Sequence, residues 1–188
     1  MKIAVAGATG MVGRKMIQVL EERKISFEEL IPVASERSAG QQVRFSGKAV
    51  AVITPEQAVE KHPDIAIFSA GSAVSKHWAP VFARRGCYVI DNSSAWRMDD
   101  SVPLVVPEIN ATEINEQTRI IANPNCSTIQ MVLALAPLHR EFGIRRIVVS
   151  TYQSVTGSGM KGRQQLEDER KGRSGEKAYP HPIDLNLI

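Results

Sequence analysis

The spacing of three N-terminal glycines constrains the fold of this chain more than any other feature. An apolar run, Lys2–Ala6, leads into Gly7, Gly10 and Gly13, and helical apolar spacing begins at Met11. A strand, a glycine loop and a helix in this order form a dinucleotide-binding fingerprint, because glycines permit a tight turn and a close approach of the backbone to a pyrophosphate. A purely structural tight turn is the alternative. The predicted cofactor contacts are Gly7, Thr9, Gly10, Met11, Val12 and Gly13.

Short apolar runs alternate with helical segments through residues 1–150. The predicted strands are Lys2–Ala6, 31–34, Ile65–Phe68, 88–90 and 147–149, with helices at Pro55–Glu60 and 75–85 and an extra strand within 46–52. This alternation predicts an α/β fold with a Rossmann-like, doubly wound, mostly parallel sheet. Residues 151–188 are expected to begin a second α+β dimerisation and catalytic domain, which ends inside a strand starting at Asp184.

Composition narrows the class of protein. The 188 residues are 43% hydrophobic and 23% charged, and 23 basic and 20 acidic residues are scattered along the chain. That distribution argues against a nucleic-acid-binding stripe. The sequence shows no signal peptide, no disulfide framework and no apolar run of bilayer length, so we expect a cytoplasmic protein. Four scattered histidines and the absence of clustered Cys and His predict no metal site.

The candidate nucleophile is Cys126. It follows a strand interrupted by Pro124 and opens the apolar helical segment 129–138. Backbone N–H groups and the dipole at a helix N-terminus favour thiolate over thiol, and thiolate is the reactive form. A small buried hydrophobe is the alternative for a single cysteine. Cys87 has that alternative environment, a buried strand, and is interpreted as structural.

The end of the second strand selects the nucleotide in this fold class. An acidic residue there binds a ribose 2′-hydroxyl, and a basic one accommodates a 2′-phosphate. Arg37 offers a bidentate phosphate contact, and Ser35 and Ser38 add hydroxyl donors, which favours NADP over NAD. Glu36 could serve NAD if it turned inward, and a solvated charged loop is the third interpretation.

Six motifs together carry a family resemblance. They are GATGMVG at 7–13, ASERSAG at 34–40, NSSAWR at 92–97, VPEIN at 106–110, NPNCST at 123–128 and YQSVTG at 152–157. In combination they closely resemble the aspartate-semialdehyde dehydrogenase family over essentially the whole chain. The resemblance implies reversible conversion of L-aspartyl 4-phosphate and NADPH to L-aspartate 4-semialdehyde, NADP and phosphate, early in lysine, threonine and methionine biosynthesis.

The same resemblance implies roles for individual residues. Cys126 would form a thioester, as a soft nucleophile and later a leaving group. Gln153 matches the glutamine that positions the substrate, and Arg97 matches the arginine that receives substrate or inorganic phosphate. Asn125 is expected to bind substrate or phosphate as well. Thr156 and Gly157 match a second cofactor-contacting loop, although the family often has serine in place of this threonine.

The family chain is longer, and its remaining part is expected to carry an acid/base histidine and a substrate-binding arginine. His62, His77, His139 and His181 lie outside any matching motif. We therefore expect nucleotide affinity with little turnover from these 188 residues alone, and homodimers or tetramers for the full-length form. The alternatives are a related acetylglutamyl-phosphate type reductase and a non-catalytic nucleotide-binding module.

Overall fold

The structure, a computed structural model, describes residues 1–186, and they belong to two compact units that meet in sequence between Ile147 and Val148. In the first unit the strands are β1 (Lys2–Ala6), β2 (Glu29–Val33), β3 (Gln42–Phe45), β4 (Lys48–Ala51), β5 (Ile65–Phe68), β6 (Tyr88–Asp91) and β7 (Ile120–Ala122). Its helices are α1 (Met11–Glu22), α2 (Pro55–Glu60), α3 (Ser72–Arg84), α4 (Pro107–Asn110) and α5 (Cys126–Phe142). The second unit contains α6 (Gly159–Arg170).

Five strands of the first unit form one parallel sheet in the order β2-β1-β5-β6-β7. Ile3 and Val5 of β1 pack with Ile17 of α1, whereas Ala4 between them belongs to the core cluster that contains Phe82 of α3. Successive side chains of a strand point to opposite faces, so helices cover both faces of the sheet. The predicted doubly wound parallel sheet is confirmed.

The strand register aligns the carboxyl ends of all five strands. One row across the sheet consists of Val33, Ala6, Phe68, Asp91 and Ala122. The residues that follow this row, including Gly7, Asn92 and Asn123, therefore begin loops at one common edge. Ligands of open parallel sheets bind at this carboxyl edge, where the strand order reverses; here the reversal lies at β1, between β2 and β5.

The predicted extra strand within 46–52 is β4, which pairs antiparallel with β3 in a separate hairpin. The predicted buried strand at 147–149 is wrong: the segment has no regular secondary structure, and its three side chains are 49%, 79% and 57% exposed. An apolar run becomes a strand only where a neighbouring strand pairs with it, and no strand of the described residues does so. The strand predicted from Asp184 is also wrong at its start, because Asp184 and Leu185 form a turn; Leu187 and Ile188 lie outside the described residues.

Polar contacts hold the second unit together. Gln165 of α6 is buried, and its side-chain oxygen accepts from the backbone N–H groups of Ala178 and Tyr179 at 2.7 and 2.9 Å. Glu169, one turn later, accepts from the N–H groups of Ile183 and Asp184 at 2.8 and 2.9 Å. These bonds fasten the segment after α6 along that helix. Among residues 1–186, no helix has both the length and the apolar content needed to cross a membrane.

Candidate active site at the carboxyl edge of the sheet

The glycine loop is packed too tightly for side chains at two of its three glycines. Gly7 has φ +85°, and a Cβ added there would lie 2.5 Å from the carbonyl oxygen of Ser69. A Cβ at Gly13 would lie 2.1 Å from the carbonyl oxygen of Gly7. The backbone N–H groups of Gly7 and Ala8 both donate to the Val33 carbonyl, at 2.8 and 3.0 Å, which fixes the loop against the end of β2. The loop is therefore held against β2, and its close packing requires glycine at positions 7 and 13.

The start of α1 presents backbone donors at this loop. Gly10 is the N-cap of the helix and makes no side-chain capping bond, and the first turn contains no acidic residue. The first N–H groups of a helix have no partner within the helix, and together with the dipole they favour an anion. Thr9 accepts from Arg14 Nε through its carbonyl at 3.1 Å, Met11 is half-buried and Val12 is exposed. This geometry fits the pyrophosphate of a dinucleotide.

The segment after β2 lies next to the glycine loop because both meet at Val33. Ser35 precedes a short 3-10 helix, Glu36–Ser38, and Ser35, Glu36 and Arg37 are exposed while Ser38 is half-buried. No ion pair among the described residues includes Arg37, so its guanidinium is not neutralised by a neighbouring carboxylate there. The structure thus brings the predicted cofactor-selecting residues to the edge where the glycine loop lies.

Cys126 is the first residue of α5 and is exposed. Asn125 is the N-cap of that helix, and its side-chain oxygen accepts from the Ser127 N–H at 3.0 Å. The alternative interpretation of Cys126 as a small buried hydrophobe is wrong. Cys87, in contrast, is 1% exposed, and burial, with a smaller contribution from the Asp64 charge, raises the pKa of its thiol to about 12. The two thiols therefore occupy opposite environments.

Iodoacetamide is expected to alkylate Cys126 at least about 100-fold faster than Cys87 at neutral pH, because a buried thiol with so high a pKa carries almost no thiolate. As pH rises towards 12, labelling of Cys87 should accelerate about tenfold per pH unit as its thiolate fraction grows. Peptide mapping by mass spectrometry measures both rates, and Cys126→Ser isolates the rate at Cys87. Equal, slow labelling of both thiols would argue that Cys126 is chemically ordinary.

Arg97 is half-buried and lies beside the turn that leads to Cys126. Its Nε donates to the Asn123 carbonyl at 2.9 Å, and one terminal nitrogen donates to the Asn92 carbonyl at 3.1 Å. A guanidinium has five N–H donors in a planar fork. The other terminal nitrogen is outside both of these bonds, which leaves donors for an anion beside the turn that leads to Cys126.

Three further predicted residues belong to the second unit. Gln153 is exposed, and its side-chain amide donates to Thr151 Oγ1 at 3.1 Å. Ser154 caps a short 3-10 helix, Val155–Ser158, and its hydroxyl lies 2.8 Å from that of Thr156. Thr156 and Gly157 are both exposed in this turn. Their roles stay predictions.

Sequence reasoning missed Asp91, Asn92, Ser93 and Asn123 as members of the site. The available signal was a polar residue directly after each of two apolar strands, since such residues meet at the carboxyl edge of a parallel sheet. Within residues 1–186 the structure contains no group of three or more His, Cys, Asp or Glu side chains placed to hold a metal ion.

The fold and its glycine loop define a dinucleotide-binding domain, and comparison with known proteins agrees. A family model, the NAD binding domain of semialdehyde dehydrogenases, matches residues 2–117. The chain belongs to this semialdehyde dehydrogenase family, and the matched domain is one that binds a nicotinamide cofactor.

Individual relatives carry more specific names than the family model does. The chain is 50% identical to the aspartate-semialdehyde dehydrogenase of Aquifex aeolicus (strain VF5), over 100% of this chain and 58% of the relative. It is 47% identical to that of Bacillus subtilis (strain 168), over 87% of this chain and 47% of the relative. The chain thus spans about half to three-fifths of the length of these relatives.

Solved structures of aspartate-semialdehyde dehydrogenases are also similar to this chain. The aspartate semialdehyde dehydrogenase II of Vibrio cholerae, complexed with ASA, superposes with a TM-score of 0.89 at 45% identity, covering 98% of this chain and 57% of that one. The enzyme of Candida albicans with NADP gives a TM-score of 0.65 at 26% identity, covering 76% of this chain and 48% of that one.

Proposed function

We propose that this chain supplies the cofactor-binding and nucleophile-bearing part of an NADP-dependent aspartate-semialdehyde dehydrogenase. The observation that supports this proposal most strongly is the exposed thiol of Cys126 at the start of α5, on the same sheet edge as the glycine loop. A nucleophile and a dinucleotide site on one edge are what a covalent hydride-transfer reaction needs. The named relatives and solved structures favour aspartate semialdehyde as the aldehyde.

The proposed reaction proceeds through a thioester on Cys126. The thiolate attacks the acyl carbon of L-aspartyl 4-phosphate, the bond from that carbon to the phosphate oxygen breaks, and inorganic phosphate leaves. NADPH, when bound, supplies the hydride that reduces the acyl carbon. The carbon–sulfur bond then breaks, Cys126 regains its electron pair, and L-aspartate 4-semialdehyde is released.

We assign the remaining tasks to the other predicted site residues. Arg97 would bind the departing phosphate with the N–H donors that its two backbone contacts leave over. Asn125 would contact substrate or phosphate from the N-cap position next to Cys126. By the family resemblance, Gln153 would orient the substrate, and Thr156 and Gly157 would contact the cofactor.

NADP is the proposed form of the cofactor, bound at its 2′-phosphate by Arg37 with Ser35 and Ser38. Arg37→Ala is expected to lower the affinity for NADP by roughly 10- to 100-fold, the loss of one charge-assisted contact, and to leave NAD affinity unchanged. Calorimetric titration measures both constants, with the exposed Arg44→Ala on β3 as the matched control. An equal loss for NADP and NAD would contradict the assignment of Arg37.

We also propose that the reaction takes place in the cytoplasm, because an exposed nucleophilic thiol persists in a reducing compartment. The full-length form is proposed to act as a homo-oligomer on a small-molecule substrate. Transfer of the aspartyl group from L-aspartyl 4-phosphate to Cys126 Sγ tests the reaction itself, with Cys126→Ala as the control.

A further inference from the structure

The loops that follow β6 and β7 are tied to each other by their own side chains. The register pairs Asp91 with Ala122, so Asn92 and Asn123 are neighbours, each one residue beyond its strand. Asn123 Nδ2 donates to Asn92 Oδ1 at 2.6 Å. Arg97 donates to the carbonyls of both residues, at 2.9 and 3.1 Å. One amide and one guanidinium therefore clamp the two loops together through three hydrogen bonds.

Asp91 fixes the first of these loops from inside the sheet. The residue is fully buried, and its Oδ2 accepts from Ser93 Oγ at 2.6 Å; Ser93 Oγ in turn accepts from the Ala95 N–H at 3.1 Å. No hydrogen-bond partner among the described residues reaches Asp91 Oδ1. A buried carboxylate with an unsatisfied oxygen costs stability. The Asp91 side chain is a strong hydrogen-bond acceptor for Ser93. The bonds of Ser93 to Asp91 and Ala95 shape the turn that brings Arg97 into contact with Asn92 and Asn123.

The turn to the nucleophile starts from a fixed backbone position, because the Asn123 N–H donates to the Asp91 carbonyl at 2.8 Å. None of the 17 residues of α5 is fully buried, so packing of that helix holds its first residue less firmly than a core helix would. Between Asn123 and Cys126 stand Pro124, whose ring restricts φ, and Asn125, which is held as the N-cap. With two such restricted residues in between, the place of the Cys126 thiol follows from where Asn123 is anchored.

We propose that Asn123 and Ser93 are positioning residues for Cys126, Asn123 through the turn it begins and Ser93 through Arg97. The inference rests on the proposed role of Cys126 as nucleophile. Attack on an acyl phosphate requires the sulfur and the acyl carbon to be aligned, and a displacement of about 1 Å can cost about 100-fold in rate. Alkylation by iodoacetamide, a small reagent without a binding site, requires no such alignment.

The test compares these two reactions at the same sulfur. The maximal rate of aspartyl transfer from L-aspartyl 4-phosphate and the rate of iodoacetamide alkylation are measured for wild type, Asn123→Ala, Ser93→Ala and Ser93→Thr. Asn123→Ala and Ser93→Ala are expected to lower the acylation rate about tenfold or more while alkylation stays within about twofold. Ser93→Thr keeps the hydroxyl and is expected to restore acylation. Ser94→Ala is the matched control, because Ser94 contacts the Ser72 hydroxyl at 3.0 Å instead of Asp91.

Each outcome decides the inference. Acylation at the wild-type rate in folded Asn123→Ala and Ser93→Ala would overturn it and leave the proposed function standing. If Asn123→Ala fails to give a cooperative unfolding transition, the comparison of Ser93→Ala with Ser93→Thr decides whether the inference holds. Acylation and alkylation falling together in every variant, with no rescue by Ser93→Thr, would indicate a merely structural role. Wild type that is alkylated but never acylated would overturn the proposed function and the inference with it.

Discussion

Replacing Gly13 by alanine is expected to lower the free energy of unfolding by about 3 kcal/mol or more and to abolish nucleotide binding. The added Cβ would lie 2.1 Å from the carbonyl oxygen and 2.7 Å from the carbonyl carbon of Gly7, and 3.0 Å from Cα of Ala8. All three are backbone atoms, and the N–H groups of Gly7 and Ala8 are both bonded to Val33. The loop cannot move aside without losing those bonds. Urea denaturation measures the stability, and calorimetric titration with NADP measures the binding.

Gly10→Ala is the matched control for this prediction. Its Cβ would lie 3.2 Å from the same Gly7 carbonyl oxygen, and Gly10 has φ −73°, which alanine adopts without strain. We expect a change of less than about 1 kcal/mol, because a shift of a few tenths of an ångström relieves the contact. If Gly13→Ala were as stable as Gly10→Ala, the close contact of α1 with the glycine loop would not be what requires glycine at position 13.

Much of the fold could be predicted from the sequence because its signals are local. The run Lys2–Ala6 before Gly7 gave β1 with its bounds, and the helix Pro55–Glu60 was also correct. The latter begins with Thr54 and Gln57 in a reciprocal capping arrangement, with proline at the first helical position, so its start is encoded within a few residues. Such signals need no tertiary partner.

The errors in the fold have a different origin. β3 was missed and the strand at 147–149 was wrong because both depend on pairing. Gln42–Phe45 has an unremarkable pattern and becomes a strand through its antiparallel partner β4. Residues 147–149 have high strand propensity but no strand of the described residues lies beside them. Propensity for a strand is largely a property of its neighbours.

Some residues of the candidate site could be singled out from the sequence, but the hydrogen-bond network that joins them could not. Cys126 and Arg97 could be singled out by residue type and motif. The distances from Arg97 to the carbonyls of Asn92 and Asn123 follow from the register of β6 with β7, which no local pattern encodes. The buried carboxylate of Asp91 was hidden for the same reason, since its burial is a property of the assembled sheet.

Cys126 is expected to accept one aspartyl group from L-aspartyl 4-phosphate in the absence of any cofactor. The Cys126 sulfur and the phosphate-binding donors proposed for Arg97 lie in one unit, so the acyl-transfer step is within reach of this chain. Without a hydride donor the thioester cannot be reduced, so it should accumulate. Cys87 should stay unmodified, because it is 1% exposed and its pKa is raised to about 12.

Intact-mass spectrometry after mixing with L-aspartyl 4-phosphate, followed by peptide mapping, tests the central claim most directly. We expect one aspartyl thioester at Cys126 in wild type, none in Cys126→Ala, and little transfer from acetylglutamyl phosphate. A preference for acetylglutamyl phosphate would instead assign the chain the function of the related acetylglutamyl-phosphate type reductases. A folded chain whose Cys126 reacts with iodoacetamide but takes up no acyl group would contradict the account.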